Sequence, residues 1–194
     1  MNAFINQALK GQHVRLEPLQ ESHLPGLKMA VEDGQLWQLM VTSVPHPDQL
    51  SGFFQQAGKE QQAGVSRVYS TIEQATGQVI GSTRFLNTNW SHGRTEIGFT
   101  FIAQSHQRTA INTEAKYLML GHAFEDLGFK RVAFRTDHLN QRSRRAIERL
   151  GAKYEGLLRN HMVMADGRVR DTVVYSIIAH EWPGIKSFLE ERLR

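Results

Sequence analysis

The sequence predicts an α/β or α+β domain built on a mixed sheet, and three observations carry that prediction. Two β-rich runs flank a tight turn at Ala75-Thr76-Gly77, one strand-helix-strand passage runs from Thr95 to Thr136, and a second pair of strands closes around Ala165-Asp166-Gly167-Arg168. Antiparallel hairpins, one β-α-β crossover and a terminal hairpin together imply one sheet with both parallel and antiparallel neighbours. A chain of 194 residues, 40% of them hydrophobic, can bury one core of ordinary size, so 1–194 is read as a single domain.

The elements follow in order. His13 to Leu19 reads as a strand. Glu21 to Val31 reads as a helix that tolerates Pro25 because it falls in the first turn, where the missing N-H would have no partner anyway. Pro45 and Pro47 break the chain, and Asp48 to Gln62 resumes as a polar helix with Leu50, Phe53, Phe54 and Ala57 as its apolar positions. Ser66 to Glu73 and Gln78 to Asn87 form the hairpin, Asn89 to Gly93 a second turn, and Thr95 to Ala103 the next strand. Ala115, Leu118, Met119, Leu120, Ala123, Phe124 and Leu127 then recur at helical spacing, in a helix from about Asn112 to a stop at Gly128. Arg131 to Thr136 returns as a strand. Asn140 to Leu150 is an Arg-rich helix closed by Gly151, strands follow at Lys153 to Met164 and Val169 to Ala179, and the last helix runs from near Trp182 to Leu193.

Composition removes several classes of function. With no cysteine, disulfides, thiol nucleophiles and thiolate metal sites are excluded, which fits a reducing cytosol. No apolar run approaches a bilayer's thickness and the first residues lack a leader pattern, so a cytoplasmic protein without a membrane partner is expected. The net charge is +4, with 19 acidic residues interspersed among 23 basic ones, so direct DNA binding is not expected. The basic excess concentrates at Lys130-Arg131, at Arg142, Arg144, Arg145 and Arg149, and at Arg159, Arg168 and Arg170. Those positions suit either solvated faces or a multiply phosphorylated small ligand. Neither G-x-G-x-x-G nor G-x-x-x-x-G-K-[ST] is present, His180-Glu181 lacks the second His of a zinc helix, and no G-x-S-x-G elbow occurs.

The segment Gln107 to Lys116 is the most informative, because it lies where a strand gives way to a helix. The first N-H groups of such a helix have no intrahelical acceptor, and the helix dipole adds positive character, so a phosphate is favoured there.

The motif order resembles the GNAT superfamily of acetyl-coenzyme A dependent N-acetyltransferases. In that family a strand leads into Q/R-x-x-G-x-G/A; here the segment reads Gln107-Arg108-Thr109-Ala110-Ile111-Asn112, with Ala110 and Asn112 at the two small positions. Asn112-Thr113-Glu114-Ala115 resembles the RimJ/RimL branch, whose members acetylate protein N-termini or small amines. Val14-Arg15-Leu16-Glu17-Pro18-Leu19, Gly77 to Gly81, Asn140-Gln141-Arg142-Ser143, Tyr154-Glu155-Gly156-Leu157-Leu158-Arg159 and Asp166-Gly167 match other stretches of the family in order, so the resemblance spans almost the whole chain.

The resemblance implies a GNAT-like central sheet, mixed, twisted and mostly antiparallel, flanked by helices, with the β-α-β crossover carrying the coenzyme loop. It implies acetyl-coenzyme A as cosubstrate, no metal, and an amine partner that is either a protein N-terminus or a small molecule; a homodimer stays open. Backbone at Phe101, Ile102 and Ala103 would pair with the pantetheine arm, Gln107, Arg108, Thr109, Ala110, Ile111, Asn112 and Thr113 would hold the pyrophosphate, Asn140 and Ser143 would bond the pantetheine, and Arg145 or Arg108 would meet the adenosine 3'-phosphate. Glu96 is the expected base, since it lies on the strand before the loop and its apolar neighbours should raise its pKa. The family's leaving-group Tyr is replaced by Ile147, which leaves Tyr175 and Tyr154 as fallback donors. Trp37 and Phe85 are the substrate-side aromatics, with Phe53, Phe54 and Trp90 in similar segments. Two other readings remain: a coenzyme A-binding sensor without turnover, suggested by the missing glycines and Tyr, and an RNA- or ribosome-binding protein using the basic C-terminal half.

Overall fold

The structure is a computed structural model that describes Phe4 and residues 6–194. Eight strands form one sheet in the order β1-β2-β3-β4-β5-β6-β8-β7. In chain order these are β1 (Leu9–Lys10), β2 (Val14–Pro18), β3 (Arg67–Glu73), β4 (Val79–Asn89), β5 (Arg94–Ile102), β6 (Arg131–Asp137), β7 (Lys153–Val163) and β8 (Val169–Ile178). Every neighbouring pair is antiparallel except β5 and β6, which are joined by the crossover. The helices are α1 (Leu24–Glu32), α2 (Leu50–Gln62), α3 (Ile111–Gly121), α4 (Gln141–Glu148) and α5 (Trp182–Leu193). The mixed, mostly antiparallel sheet matches the expectation. The two-residue β1 escaped the sequence pattern because its alternation is too short to register.

Two apolar clusters sandwich the sheet. On one side Ile111, Ala115, Met119 and Leu120 of α3, Ile147 of α4 and Trp182 and Leu189 of α5 pack on Ile97, Val132, Phe134, Tyr175 and Ile177. On the other, Leu27 and Val31 of α1 and Leu50 of α2 pack with Leu36 and Phe101. Met119 and Leu120 are each fully buried, which stabilises the fold by about 2 kcal/mol per side chain.

The parallel pairing of β5 and β6 is brief. It runs through Arg94↔Arg131, Thr95↔Val132 and Glu96↔Ala133 and then stops. Beyond Glu96 the strands part, so the rest of β5 has β4 on one side and, among the described residues, no strand on the other. Two register shifts also bend the β4–β5 pair, and Phe99 and Asn87 near them have left-handed φ values of 46° and 50°. The expected single helix from about Asn112 to Gly128 is divided: α3 gives way to a π turn at His122–Asp126 before Gly128 ends it with φ 65°.

Two polar side chains fix α3 on the sheet. Glu114 is buried and accepts the N-H groups of Gln12, His13 and Val14 at 2.7, 2.7 and 2.8 Å, which anchors the turn between β1 and β2. Lys116 lies under β4 and β5 with Nζ 2.8 Å from Thr83 Oγ1 and 2.7 Å from Thr100 Oγ1. Burial lowers its pKa from 10.5 to about 7.

Candidate active site

The loop after β5 is held from several directions. Asp33, at the end of α1, accepts from the Ser105 N-H at 3.1 Å and its hydroxyl at 2.6 Å. Gln107 Nε2 donates to the Ile102 carbonyl at 2.6 Å. The Thr109 hydroxyl donates to the His106 carbonyl at 2.8 Å and accepts the Ile111 N-H at 3.3 Å. The left-handed residue of the loop is Arg108, with φ 66°, while Ala110 caps α3 at φ −65° and Asn112 is in its first turn. So replacing the family's glycines by Ala110 and Asn112 strains nothing, since neither position needs positive φ.

Among the described residues the N-H groups of Arg108, Thr109, Ala110, Asn112 and Thr113 find no acceptor, and Asn112 Oδ1 is buried without a partner. Convergent amides at the start of α3 fit an anion such as a pyrophosphate, whereas the orphaned Asn112 Oδ1 is itself an acceptor and calls for a donor. The Arg108 side chain is exposed.

The three residues named for pantetheine pairing divide. Ala103 spends its N-H on the Ile80 carbonyl at 2.8 Å, and Phe101 is in register with Ser82 on β4. By the alternation of an antiparallel ladder, Ile102 turns its N-H and carbonyl to the parted side, where the carbonyl meets Gln107. Ile102 alone of the three offers its backbone there, so Phe101 and Ala103 are corrected to sheet-pairing residues.

Glu96 stands at the last pairing of β5 with β6 and is 7% exposed. Asn87 Nδ2 donates to its Oε2 at 3.1 Å, and Arg135 Nε is 3.4 Å from the same oxygen. The left-handed backbone at Asn87 accompanies the register shift that brings its amide to Glu96. Burial raises the Glu96 pKa, against the smaller lowering effects of the Asn87 hydrogen bond and the charges of Arg135, Arg170 and His161. A carboxylate whose pKa is raised by burial is a better proton acceptor than an exposed one.

Asn140 Oδ1 caps α4 by accepting the Ser143 N-H at 3.0 Å, and its Nδ2 points to the Val41 carbonyl at 3.5 Å. The Ser143 hydroxyl has no partner among the described residues, and the exposed Arg145 bonds the Gln141 carbonyl at 3.3 Å. Ile147 is core. The Tyr175 hydroxyl donates to Glu148 at 2.8 Å and accepts from Arg144 at 3.1 Å, and burial raises its pKa. Tyr154 stacks edge-on against it and is exposed.

A cavity of about 600 Å³ opens between the 37–45 loop, α2, the bulged part of β4 and β5, and Met164 to Asp166. Trp37 and Phe53 line it. Phe85 does not: it is fully buried, stacked on Phe4 at 5.4 Å and edge-on to Tyr69 at 6.3 Å, so its assignment to the substrate side is corrected to core. Trp90 likewise packs against Phe4 and Phe129. Strand alternation, which the sequence displayed only approximately across the bulges, decides which aromatic faces which way.

The sequence reading missed Arg84 and Phe99, and it counted Arg168 only among the basic positions and in the terminal turn. Arg84 is buried in the cavity floor, paired with Glu60 at 3.1 Å. An arginine amid the apolar and hydroxyl residues of β4 was the available signal. Arg168 Nη2 lies 2.5 Å from Asp137 and donates to the Met40 carbonyl at 2.9 Å, fastening the terminal hairpin to the 37–45 loop. Among the described residues no helix is long and apolar enough to cross a membrane, and no group of three or more His, Asp or Glu could hold a metal ion.

Comparison with known proteins agrees with this arrangement. Residues 13–153 match the model of the acetyltransferase (GNAT) domain. The uncharacterized N-acetyltransferase p20 of Bacillus licheniformis is 26% identical over 180 residues, spanning 87% of this chain and 100% of its own. A crystal structure from T. thermophilus, described provisionally as an acetyltransferase, has 36% identity and a TM-score of 0.86 with 100% of both chains covered. A GCN5-related N-acetyltransferase from Brucella melitensis has 29% identity and a TM-score of 0.87, covering 98% of this chain and 86% of its own. The parted strands, the amide-lined start of α3 and the family match over most of the sequence place this chain in the GNAT family of acetyl-coenzyme A dependent N-acetyltransferases.

Proposed function

We propose that this enzyme acetylates a primary amine by direct transfer in a ternary complex, with Glu96 as the base. The observation that carries the proposal is the position of Glu96: a buried carboxylate where β5 and β6 part, on the strand that leads into the amide-lined loop. Acetyl-coenzyme A supplies the acetyl group as a thioester, whose C-S bond breaks as the C-N bond of the product forms. The free N-H groups of Arg108, Thr109, Ala110, Asn112 and Thr113 would hold the pyrophosphate, and Ile102, on the open edge of β5, would pair with the pantetheine. Glu96 would take the proton that an ammonium carries at neutral pH, directly or through water. With Ile147 in the core and the Tyr175 hydroxyl engaged by Arg144 and Glu148, water is the simplest proton source for the departing sulfur.

The test is isothermal titration with acetyl-coenzyme A, followed by thiol release across small primary amines and N-terminal peptides. Binding with release of one thiol per acetylated amine is the expected result. No binding at millimolar ligand would end the reading. Binding without release on any amine would instead leave a coenzyme-binding module.

A further inference from the structure

The cavity beside Phe99 has walls that the transfer reaction itself does not require. Trp37, Phe53, Phe99 and Phe101 line it together with Val44 and Met164, so it is concave, largely apolar and, at about 600 Å³, of a size that takes a small ligand or one large side chain. Phe99 is the unusual wall. Its backbone is left-handed at φ 46° and the residue is 51% exposed, so a bulky residue occupies a conformation that costs free energy while leaving apolar surface in water. Burial against a ligand would recover that surface.

The floor is electrically balanced. The Arg84 guanidinium lies 5.0 Å from the Phe53 ring centre and 4.9 Å from that of Phe99, and it pairs with Glu60 at 3.1 Å. The pair neutralises the charge, which does not favour an anionic ligand. With that pair neutral, Asp166, which also lines the cavity, favours a cationic amine over an acid.

Glu96 is on the face of the sheet that Arg84 presents to the cavity. Arg84 is in register with Gly98, and Gly98 is two residues along the strand from Glu96, on the same face. A Cβ built on Gly98 would lie 3.7 Å from Glu96 Oε1 and 3.3 Å from Leu86 Cδ2. Glycine there adds no side chain of its own beside the carboxylate, and Leu86 is its apolar neighbour.

We propose that this cavity selects the acceptor, seating a bulky apolar group, aromatic or branched aliphatic, carried next to a primary amine that reaches Glu96 across Gly98. The proposal rests on the acetyltransferase reading. The same chemistry is offered by a free arylalkylamine and by a peptide whose first residue is Phe, Tyr or Leu.

The test compares kcat/KM for 2-phenylethylamine with ethylamine, and for tetrapeptides beginning with Phe or Leu with those beginning with Gly or Ala. Burial of the larger group predicts a preference of roughly 10-fold or more for the bulky member of at least one pair. Which pair shows it distinguishes the two sources. Phe99→Ala and Trp37→Ala should each collapse the preference while the Kd for acetyl-coenzyme A stays unchanged, and Gly98→Val should lower turnover of the bulky acceptors most. Equal kcat/KM within both pairs, or a preference that survives both alanine variants, overturns the proposal. NMR titration with 2-phenylethylamine in the presence of coenzyme A gives a readout without turnover. Shifts at the Trp37 indole support the pocket even if no amine is acetylated, and their absence alongside active acetylation of small amines refutes the pocket while leaving the acetyltransferase reading intact.

Discussion

Gln107 Nε2 donates to the carbonyl of Ile102 at 2.6 Å, tying the first residue of the amide-lined loop back to the last residue of β5. The bond sets the distance between the loop and the open strand edge, two places that one extended ligand would have to touch together. Gln107→Ala should therefore weaken acetyl-coenzyme A binding by roughly fivefold, the worth of one ordinary hydrogen bond. Titration calorimetry reads the affinity, and an unchanged melting temperature would separate this from a loss of fold.

Glu96→Gln keeps the Asn87 contact but cannot take a proton. It should lower kcat by about 10²-fold or more. Because burial raises the Glu96 pKa, the wild-type rate should fall as pH drops through that raised value, as the carboxylate protonates. In the variant that acidic limb should be flat. A retained limb would assign the ionisation to another group.

Lys116 gives the stability of the fold a pH dependence of its own. Its folded pKa of about 7 lies below the ordinary 10.5, and its partners at Thr83 and Thr100 are neutral hydroxyls. Between those values the unfolded chain binds a proton that the folded one does not, so this group's contribution to stability rises with pH across that window and is flat below it. Melting temperatures of wild type and Lys116→Met, compared from pH 6 to pH 10, should converge toward the alkaline end, with the variant gaining most on wild type near neutrality and below. A difference independent of pH would mean that Lys116 is charged in the folded state.

Glu114→Ala should destabilise the protein by about 2 kcal/mol, because it removes an acceptor from three backbone N-H groups and leaves that of Val14 buried. Urea denaturation measures the loss. A change below about 0.5 kcal/mol would show that water replaces the carboxylate at no cost.

The sequence carried the order of the strands, the crossover and the position of the loop, because alternation, helical spacing and turn residues are local signals. It misplaced what depends on the β4–β5 bulges. A single inserted residue changes which side chains share a face, so Phe85 proved to be core while Phe99 and Arg84 face the cavity. The substitutions at Ala110 and Asn112 looked like a departure from the loop's needs, but the left-handed position is Arg108, one that no spacing rule marks. Long-range ties such as Glu114 to the β1–β2 turn and Arg168 to Asp137 were illegible for another reason: 100 and 31 residues separate their partners.

The three residue pairs that join β5 to β6 are fewer than those at any other seam of the sheet except that of the two-residue β1, and they lie in its middle. A ligand whose amides bonded to the open stretch of β5 would act there as a stitch between the two halves of the molecule. Its binding free energy would add directly to the free energy of unfolding, growing with the logarithm of ligand concentration. The thermal stability of this protein in a cell would then follow the supply of activated acetyl groups as well as the composition of its core.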